Sequence, residues 1–498
     1  MNEETLPGGR AAPDAVSRRR LLLGGGASLA GGAVAAAGLS LPASAADAQA
    51  AAGAVKQPPN IVYIIADDLG WKDVGFHGSD IRTPNLDRLA ETGVELEEFY
   101  VQPMCTPTRA ALLTGRYPLR YGLQTGAIPS SGRYGLATDE WLLPQALSAA
   151  GYETALIGKW HLGHADRKFW PRQRGFDHFY GALVGEIDHF THTAHGVGDW
   201  YRGNKPIEEP GYDTTLFGDE AVRLIAAHDP ARPLFLDLSF TAPHTPYQAP
   251  AEYLDRYTHI ADPARRAYAA MITAMDEQIG RVVAALEARQ MRDNTLIVFH
   301  SDNGGTRSAK FTGESAVTGE LPPDNGPYRD GKGTLYEGGT RVVAIANWPG
   351  RIRPGKAGGM LHVVDMYPTL VELAGGTSGK GKPLDGMSVW TTISAGAASP
   401  RREIVYNVDP LLAAMREENW KLVWHALLPG RIELFDLATD PSEKLDLSEK
   451  APEKVTALQA RIRALASQME QPLVLMDAVS LVLGLPPSTP LEALEGSG

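Results

Sequence analysis

The chain contains a single cysteine, Cys105, which opens the segment CTPTRAALLTGR. Pro107 stands where a helix should begin, so we expect Cys105 at the N-terminus of that helix and Arg109 one turn further along. The helix dipole and the free backbone N–H groups would then favour an anion at Cys105. The alternative is an ordinary buried cysteine without chemistry, which is the commoner state of this residue type.

Two pairs of oxygen-bearing side chains follow two apolar runs that are typical of strands. The pairs are Asp67 with Asp68, after residues 60–66, and Asp302 with Asn303, after residues 296–301. Carboxylate and amide oxygens suit Ca²⁺ or Mg²⁺, and there is no second cysteine to suggest a softer metal. Either pair alone could be a helix cap or a solvated loop, but two pairs at equivalent strand ends favour a metal site.

A third set of side chains is cationic. It comprises Lys159 and His161 after the apolar run 154–158, His244 after the run 234–240, and Lys332 in a glycine-rich segment. Singly, such residues are most often surface charges or hydrogen-bonded core groups. Together with Arg109 they would give a positive pocket, which suits a reaction that shifts negative charge onto oxygen atoms.

The elements that must position these residues form an α/β pattern. From Pro58 onward, short apolar runs alternate with helical stretches, which predicts a sheet with helices on both faces. Ligands of such sheets bind at the carboxyl ends of the strands, where these side chains would converge. Residues 267–291 have the periodicity of an amphipathic helix, which we interpret as scaffold. The aperiodic segment 304–339 contains Lys332 and is predicted to be a functional loop.

The pattern changes after about residue 384. Short strands are predicted at 403–408, 420–425 and 432–437 and a helix near 453–469, which indicates a small antiparallel sheet with a helix. We therefore predict a large domain over residues 58–384, built on a mixed sheet between helices. A smaller α+β domain and tail would follow over residues 385–498.

Residues 1–46 have the order of an export signal: a charged stretch to Arg20, an apolar run at 21–41 and the small-residue segment ASA. The letters SRRRLL resemble a twin-arginine signal, whose translocase carries folded proteins. A retained membrane anchor is the alternative, but the many glycines favour cleavage, followed by a linker at 47–57. We therefore predict a periplasmic or secreted protein without a stable membrane anchor.

Charge and cysteine content narrow the function. The net charge of −12 argues against a nucleic-acid binder, because phosphate backbones are held by clustered Lys and Arg and repelled by a broadly acidic surface. An exported protein with one cysteine cannot form an internal disulfide. Cys105 is therefore a spare thiol, an intermolecular bridge or a reactive group.

The segment from Cys105 to Arg116 resembles the signature of the sulfatase family, C-x-P-x-R followed by a helix and T-G-R. In that family a dedicated enzyme oxidises the cysteine to formylglycine. The resemblance extends from Pro58 to Lys444 and is greatest to the arylsulfatase B type. Further similar segments are IADDLGW, HGSDIRTPNLDRLAETGV, GKWHLG, RGFDHFYG, TAPHTP, SDNGG, GKGTLYEGGTR and ELFDLATDPSEKLDL.

The resemblance implies a fold of the alkaline phosphatase superfamily and hydrolysis of sulfate esters. The substrate would be a sulfated carbohydrate, such as an N-acetylgalactosamine 4-sulfate, or an aryl sulfate. A formylglycine-generating enzyme and the twin-arginine translocase would be partners during maturation. The implied cofactor is one calcium ion rather than magnesium, with Asp67, Asp68, residue 105, Asp302 and Asn303 as its ligands.

The resemblance also implies roles for the cationic side chains. The hydrate of formylglycine at residue 105 would be the nucleophile, and Arg109 with the metal would stabilise the attacking oxygen. Lys159 and Lys332 would hold the sulfate oxygens. His244 would protonate or orient the leaving oxygen, and His161 would take the proton from the second hydroxyl of the hydrate.

One histidine-rich segment, GEIDHFTHTAHG, is not explained by these roles. It contains Asp188, His189, His192 and His195, and the spacing invites a zinc hypothesis. Zinc needs a compact ligand set with a defined second shell, and none is evident in the sequence. We instead predict a specificity loop in which Asp188 and His192 face the sugar, with solvated loop histidines as the alternative.

Two other functions compete with sulfate hydrolysis. A phosphomonoester, phosphodiester or phosphonate hydrolase of the same superfamily would use much of this scaffold. Such a phosphatase usually binds two transition metals through additional Asp and His ligands, whereas this sequence supplies one oxygen-rich set. A non-catalytic carbohydrate-binding protein would keep the fold and leave Cys105 unmodified, but the intact residues at each catalytic position argue against it.

Overall fold

The computed structural model describes residues 58–312, 320–377 and 380–482. The predicted signal at 1–46 and linker at 47–57 lie outside these ranges. None of the helices within them is both long enough and apolar enough to cross a bilayer. The described residues all fall in one compact unit, and the predicted boundary between residues 384 and 385 stays a prediction.

Eighteen strands lie within the described residues. In chain order they are β1 Asn60–Ala66, β2 Val94–Leu96, β3 Phe99–Tyr100, β4 Glu153–Gly158, β5 His178–Gly181, β6 Thr193–Ala194, β7 Val197–Gly198, β8 Tyr201–Arg202, β9 Lys205–Pro206, β10 Leu234–Ser239, β11 Thr295–Ser301, β12 Ala344–Asn347, β13 Gly355–Ala357, β14 Leu361–His362, β15 Glu403–Val408, β16 Leu412–Glu417, β17 Trp420–His425 and β18 Arg431–Asp436.

Eleven α-helices connect or cover these strands within the same ranges. They are α1 Pro84–Thr92, α2 Cys105–Thr114, α3 Leu143–Ala149, α4 Asp213–Ala227, α5 Ala251–Leu254, α6 Pro263–Ala288, α7 Glu337–Thr340, α8 Met366–Leu373, α9 Trp390–Ala395, α10 Pro452–Ala466 and α11 Leu473–Val482.

The large sheet contains ten of these strands in the order β13-β2-β12-β11-β1-β10-β4-β5-β8-β9. β1 pairs in parallel with both β10 and β11, and β10 pairs in parallel with β4. β12 runs antiparallel to β11, so the sheet is mixed. The carboxyl ends of β11, β1, β10 and β4 therefore lie along one edge, as the sequence predicts.

Side chains of β1 alternate between two apolar cores. Ile61, Tyr63 and Ile65 pack on one face with α2, α3 and α8. Val62 and Ile64 pack on the other face with α1, α4 and α6. Buried residues on both faces are typical of strands covered by helices on both sides. The predicted fold class, a large mixed sheet between helices with a smaller antiparallel sheet, is confirmed.

The smaller sheet is antiparallel, in the order β15-β16-β17-β18, and α10 contacts β16 and β17. β15 and β17 have the predicted bounds, β18 lies one residue earlier than predicted, and the helix predicted near 453–469 is α10. The sequence missed β16. Its letters LAAMRE contain no β-branched residue and favour a helix. Pairing with a strand on each side makes it extended instead.

The predicted scaffold helix begins and ends earlier than expected. It spans Pro263–Ala288 rather than 267–291, because an N-terminal cap overrides the start of the apolar periodicity. The Asp262 carboxylate accepts a hydrogen bond of 2.7 Å from the Arg265 N–H, and Pro263 occupies the first helical position. Both features are typical of a helix start.

A buried ionic network connects the smaller sheet to the loop that follows Lys332. In β17, Lys421 Nζ lies 2.9 Å from Glu337 Oε1 and 2.9 Å from Glu443 Oε1, and all three side chains are fully buried. The Tyr100 hydroxyl donates to Glu337 Oε2 at 2.8 Å. Since Glu337 begins α7, this network fixes the end of the 304–339 segment.

We predict that Lys421→Met lowers the free energy of unfolding by about 3–5 kcal/mol, because two buried carboxylates would lose their shared cation. Urea denaturation followed by tryptophan fluorescence measures the change. Lys450→Met, at an exposed lysine, is the control and should be within about 0.5 kcal/mol of wild type. Equal stability of the two variants would show that the network contributes little.

Candidate active site

The two oxygen-bearing pairs meet at the edge of the large sheet. Asp67 and Asp68 follow β1, and Asp302 and Asn303 follow β11, its parallel neighbour. The Asp68 N–H donates to Asp302 Oδ1 at 3.3 Å, and Asn303 Nδ2 donates to Asp68 Oδ1 at 2.7 Å. All four residues are buried. The convergence predicted from the strand ends is therefore present.

Cys105 is the first residue of α2 and lies beside these carboxylates. Its Sγ is 3.4 Å from Asp67 Oδ1 and 3.5 Å from Asn303 Oδ1. Burial, with Asp302 and Asp67 nearby, raises the pKa of the thiol well above its usual value. Burial and the two carboxylates thus outweigh the stabilisation of a thiolate that we expected from the helix N-terminus. An unmodified Cys105 would thus be a protonated and weakly nucleophilic thiol.

The variable positions of the CTPTR segment also have structural roles. Thr106 Oγ1 donates to the His161 carbonyl at 2.9 Å and accepts from the Ile128 N–H at 3.1 Å. Thr108 Oγ1 donates to the Gln102 carbonyl at 3.0 Å. These bonds connect the start of α2 to two neighbouring loops, a function that sequence reasoning did not assign to the threonines.

Arg109 lies one turn below Cys105, as predicted, and its guanidinium holds Asp302. Nε and Nη2 are 3.1 and 2.9 Å from Asp302 Oδ2, and Nη1 donates to the Lys159 carbonyl at 3.1 Å. Asp67 Oδ2 is 3.9 Å from Nη2. Arg109 therefore orients one carboxylate of the site and adds positive charge beneath it.

The two predicted lysines reach the other carboxylates. Lys159 Nζ donates to Asp67 Oδ2, and both side chains are fully buried. Lys332 Nζ donates to Asp68 Oδ2 at 2.8 Å. Burial opposes the charge of Lys332, but Asp68 and its neighbours outweigh this effect and raise the lysine pKa. Both lysines therefore stay charged at the buried site.

His244 faces the same group of charges. Its Nδ1 lies 2.7 Å from the Thr245 carbonyl, so this nitrogen is the donor and Nε2 carries the lone pair. Nε2 accepts from Lys332 Nζ at 3.0 Å and lies 3.6 Å from Asp68 Oδ2. Burial and the charge of Lys332 lower the pKa of His244 to about 4. The imidazole is therefore neutral near pH 7.

His161 is a second neutral histidine. Its Nε2 donates to the Ile128 carbonyl at 2.9 Å, while Nδ1 is buried and has no hydrogen-bond partner among the described residues. Burial and Lys159 lower its pKa well below the usual value. Gly185 packs against this ring, because a Cβ there would lie 2.1 Å from His161 Cε1. His161 thus offers an unused acceptor nitrogen.

A cavity of about 270 Å³ opens above these residues and is lined by Cys105, His161, His244 and Lys332. Sequence reasoning did not identify its other lining residues. They are Met104, Ala127, Ile128, Pro129, Ser130, Val184, Gly185, Glu186, Lys310 and Phe311. Lys310 and Phe311 belong to the aperiodic 304–339 segment, whose composition predicted a functional loop but did not indicate which of its residues would line the site. The cavity combines apolar walls with a few polar groups, as small-molecule sites do.

One further hydrogen bond to the carboxylates was missed. Thr306 Oγ1 donates to Asp68 Oδ2 at 2.7 Å, so Asp68 accepts from Lys332, Asn303 and Thr306. Burial opposes ionisation of Asp68, but the charge of Lys332, the nearby His244 and the hydrogen bonds from Lys332 and Asn303 lower its pKa. Asp68 is thus held as a carboxylate.

Asp188 and His192, predicted to face the sugar, do not line this cavity. The Asp188 carboxylate accepts from the Phe190 and Thr191 N–H groups at 3.0 and 2.7 Å and from Gln248 at 2.8 Å. The His192 ring stacks on Trp200 with ring centroids 4.1 Å apart. Their contact with substrate stays a prediction.

The other histidines of this segment have separate partners, which does not favour the zinc hypothesis. His189 Nδ1 lies 2.8 Å from Asp213 Oδ2, and His195 Nε2 lies 2.5 Å from Ser130 Oγ. They do not form a compact set of zinc ligands.

The oxygen-rich set fits a hard divalent cation. Ligand atoms of Asp67, Asp68, Cys105 and His244 lie within 4.8 Å of one another. Burial and the neighbouring Asp67 raise the pKa of Asp302, as crowded carboxylates do. A cation at this point would relieve that repulsion. Three carboxylates and an amide oxygen are donors that calcium and magnesium accept.

Comparisons with known proteins point to one family. The model of the Sulfatase family matches residues 59–376. Arylsulfatase J of Mus musculus is 36% identical over 460 residues, covering 81% of this chain and 75% of the relative. N-acetylgalactosamine-6-sulfatase of Homo sapiens is 32% identical over 474 residues, covering 85% and 88%. The crystal structure of Ps i-CgsB in complex with k-i-k-neocarrahexaose is 33% identical with a TM-score of 0.75, covering 84% and 94%.

We predict that Ca²⁺ raises the melting temperature of chelator-treated protein, because a cation that binds the folded site stabilises it. At a free concentration of 100 times Kd the stabilisation is about 2.7 kcal/mol. Differential scanning fluorimetry with CaCl₂ or with NaCl at the same ionic strength measures it. Asp67→Asn should reduce the shift. An equal response to both salts would contradict a divalent site.

Proposed function

Because the chain belongs to the sulfatase family, whose members are sulfuric ester hydrolases, we propose that it cleaves sulfate esters of carbohydrates using formylglycine at residue 105 and a calcium ion. One observation supports this most directly. The Cys105 side chain, at the start of α2, faces Asp67 and Asn303 and shares its cavity with His161, His244 and Lys332.

Formylglycine gives residue 105 the chemistry that a buried thiol lacks. Its hydrate offers two hydroxyls on one carbon, one to attack sulfur and one whose deprotonation later releases sulfate and restores the aldehyde. The CTPTR segment supports this modification. A serine at this position would have no second hydroxyl to release the sulfate.

Asp67, Asp68, Asp302 and Asn303 would hold the calcium ion, which would supply positive charge beside the oxygen of residue 105 and the sulfate group. Neighbouring side chains hold two of these carboxylates in place. Arg109 fixes Asp302 from below, and Thr306 and Lys332 fix Asp68. These contacts orient the carboxylates of the site.

Lys159 and Lys332 would bind the sulfate oxygens. Each already lies at the site with its ammonium on a carboxylate, Asp67 for Lys159 and Asp68 for Lys332. With these carboxylates holding a calcium ion, both ammonium groups would be able to donate to the sulfate oxygens. Donors placed in advance where charge develops are an effective form of catalysis.

The two histidines fit opposite proton transfers. His244 Nε2 accepts from Lys332 Nζ at 3.0 Å, so the imidazole would orient the Lys332 ammonium, which carries the proton for the leaving oxygen of the substrate. The lone pair of His161 Nδ1 has no hydrogen-bond partner among the described residues, because Nε2 carries the proton and donates to the Ile128 carbonyl. His161 can therefore accept the proton of the second hydroxyl.

A sugar fits the cavity and agrees with the relatives. Phe311 provides an apolar face, while Glu186, Lys310 and Ser130 provide polar groups. N-acetylgalactosamine-6-sulfatase is named for a sugar, and Ps i-CgsB was solved with an oligosaccharide. We therefore propose a sulfated sugar residue as substrate, with Asp188 and His192 supporting a nearby specificity loop.

The proposed signal at the start of the chain also suggests an order for the maturation steps. The proposed signal at 1–46 would direct the protein to the periplasm or the exterior, with a formylglycine-generating enzyme and the twin-arginine translocase as partners. Because that translocase carries folded proteins, Cys105 would be oxidised in the cytoplasm before folding. The burial of Cys105 in the folded chain supports this order.

We predict that peptide mass spectrometry across residue 105 of protein from its native host finds the aldehyde or its hydrate in place of the thiol. Protein from a host without the modifying enzyme is the control and should retain the thiol. A thiol-only peptide in the native protein would contradict the proposed nucleophile and favour a binding protein.

We predict that Cys105→Ala reduces hydrolysis of an aryl sulfate by on the order of 10⁴-fold or more, as loss of a catalytic nucleophile does. The melting temperature should remain near that of the wild type. Rates on 4-nitrophenyl sulfate and 4-nitrophenyl phosphate provide the comparison. Residual activity near wild type would contradict the mechanism, and faster phosphate release by the wild type would favour a phosphatase.

A further inference from the structure

A buried histidine and carboxylate lie directly behind His244. His189 Nδ1 is 2.8 Å from Asp213 Oδ2, and His189 Nε2 is 3.1 Å from the His244 carbonyl oxygen. The two side chains are 1% and 0% exposed. Both partners of the ring are acceptors, so both ring nitrogens must donate, which a neutral imidazole cannot do. Burial disfavours this charge, but Asp213 outweighs it and raises the pKa of His189.

Asp213 also holds the other end of the turn that contains His244. Its Oδ2 accepts from the Thr241 hydroxyl at 2.5 Å, and its backbone N–H donates to the His189 carbonyl at 2.9 Å. Asp213 is the first residue of α4, so a helix fixes its position. One carboxylate thus restrains Thr241 directly and the His244 carbonyl through His189.

This turn needs such support because it lies beyond the sheet. β10 ends at Ser239, and His244 N–H donates to the Thr241 carbonyl at 3.0 Å. The imidazole must nevertheless keep its Nε2 3.0 Å from Lys332 Nζ. Misplacement of a reacting group by 1 Å can cost about 10²-fold in rate.

We propose that His189, held by Asp213, is a positioning residue that fixes the His244 imidazole at the leaving oxygen of the substrate. The inference rests on the proposed function, in which His244 and Lys332 serve that oxygen. His189 does not line the cavity and acts through the His244 backbone. Its effect must therefore depend on how much proton donation the leaving group requires.

Leaving groups separate this role from a general loss of structure. A 4-nitrophenolate departs with little help, because its negative charge is delocalised. A phenolate without the nitro group retains more charge on oxygen and depends more on a positioned proton donor. A displaced His244 should therefore slow the second substrate more than the first.

The chain offers a matched control in His228. Its Nδ1 is 2.8 Å from Glu153 Oε2, and its Nε2 is 2.9 Å from the Arg232 carbonyl oxygen. It is also buried. Glu153 is the first residue of β4, and Lys159 of the active site follows the last residue of that strand. The His228 and Glu153 pair therefore lies at the amino end of the strand, opposite the site. His228 repeats the contacts of His189 far from the site.

The experiment compares His189→Gln with His228→Gln on 4-nitrophenyl sulfate and phenyl sulfate. We expect His189→Gln to lower kcat on phenyl sulfate about tenfold more than on 4-nitrophenyl sulfate, with little change in KM for either. His228→Gln should leave the ratio of the two kcat values unchanged, even where it lowers the melting temperature. An equal fall on both substrates for His189→Gln, or the same ratio change for His228→Gln, would overturn the proposal.

Thr241→Val covers the case in which His189→Gln does not fold. It removes the hydroxyl that donates to Asp213 while keeping the size of the side chain. It should change the kcat ratio in the same direction but less. An unchanged ratio of the two kcat values would count against the proposed positioning role of His189 and Asp213. Absence of wild-type activity on both aryl sulfates and on sulfated sugars would instead contradict the proposed function, so the two failures can be distinguished.

Discussion

Three buried carboxylates share one edge of the large sheet, and each has a cation of its own. The pairs are Asp67 with Lys159, Asp68 with Lys332 and Asp302 with Arg109. Buried charge is tolerated only where it is paired and hydrogen-bonded. These ion pairs therefore constrain the relative positions of the strand ends, the start of α2 and the 304–339 segment.

Distant parts of the chain keep the loops around this edge in place. α11 contacts the 122–133 loop, since the Leu473 N–H donates to the Gly122 carbonyl at 2.8 Å and Arg133 Nε to Asp477 Oδ1 at 3.0 Å. Gly122 has a φ of +80°, and a Cβ there would lie 2.7 Å from the Gln471 carbonyl oxygen. The same loop provides the Ile128 carbonyl that fixes the His161 ring. The last described helix thus supports a group at the centre of the site.

The sequence predicts the parts of this site that depend on local order. Strand ends and the spacing of Cys105 and Arg109 follow from periodicity and helix geometry, so Asp67, Asp302 and Lys159 were placed at one edge. Pairing between residues distant in the chain cannot be predicted this way. The His189 and Asp213 pair and the strand β16 depend on neighbours that only the folded chain brings together. The Thr106 bonds to His161 and Ile128 have the same dependence.

The two site histidines show how burial alone does not determine a role. Burial and a nearby lysine lower the pKa of both His161 and His244, so both rings are neutral near pH 7. Their backbone partners differ, because His161 donates through Nε2 to Ile128 and His244 through Nδ1 to Thr245. The lone pair of His161 is left for a proton, whereas that of His244 accepts from Lys332. The backbone carbonyl that each ring contacts therefore selects its tautomer, and the two tautomers are the basis for proposing different roles for the two histidines.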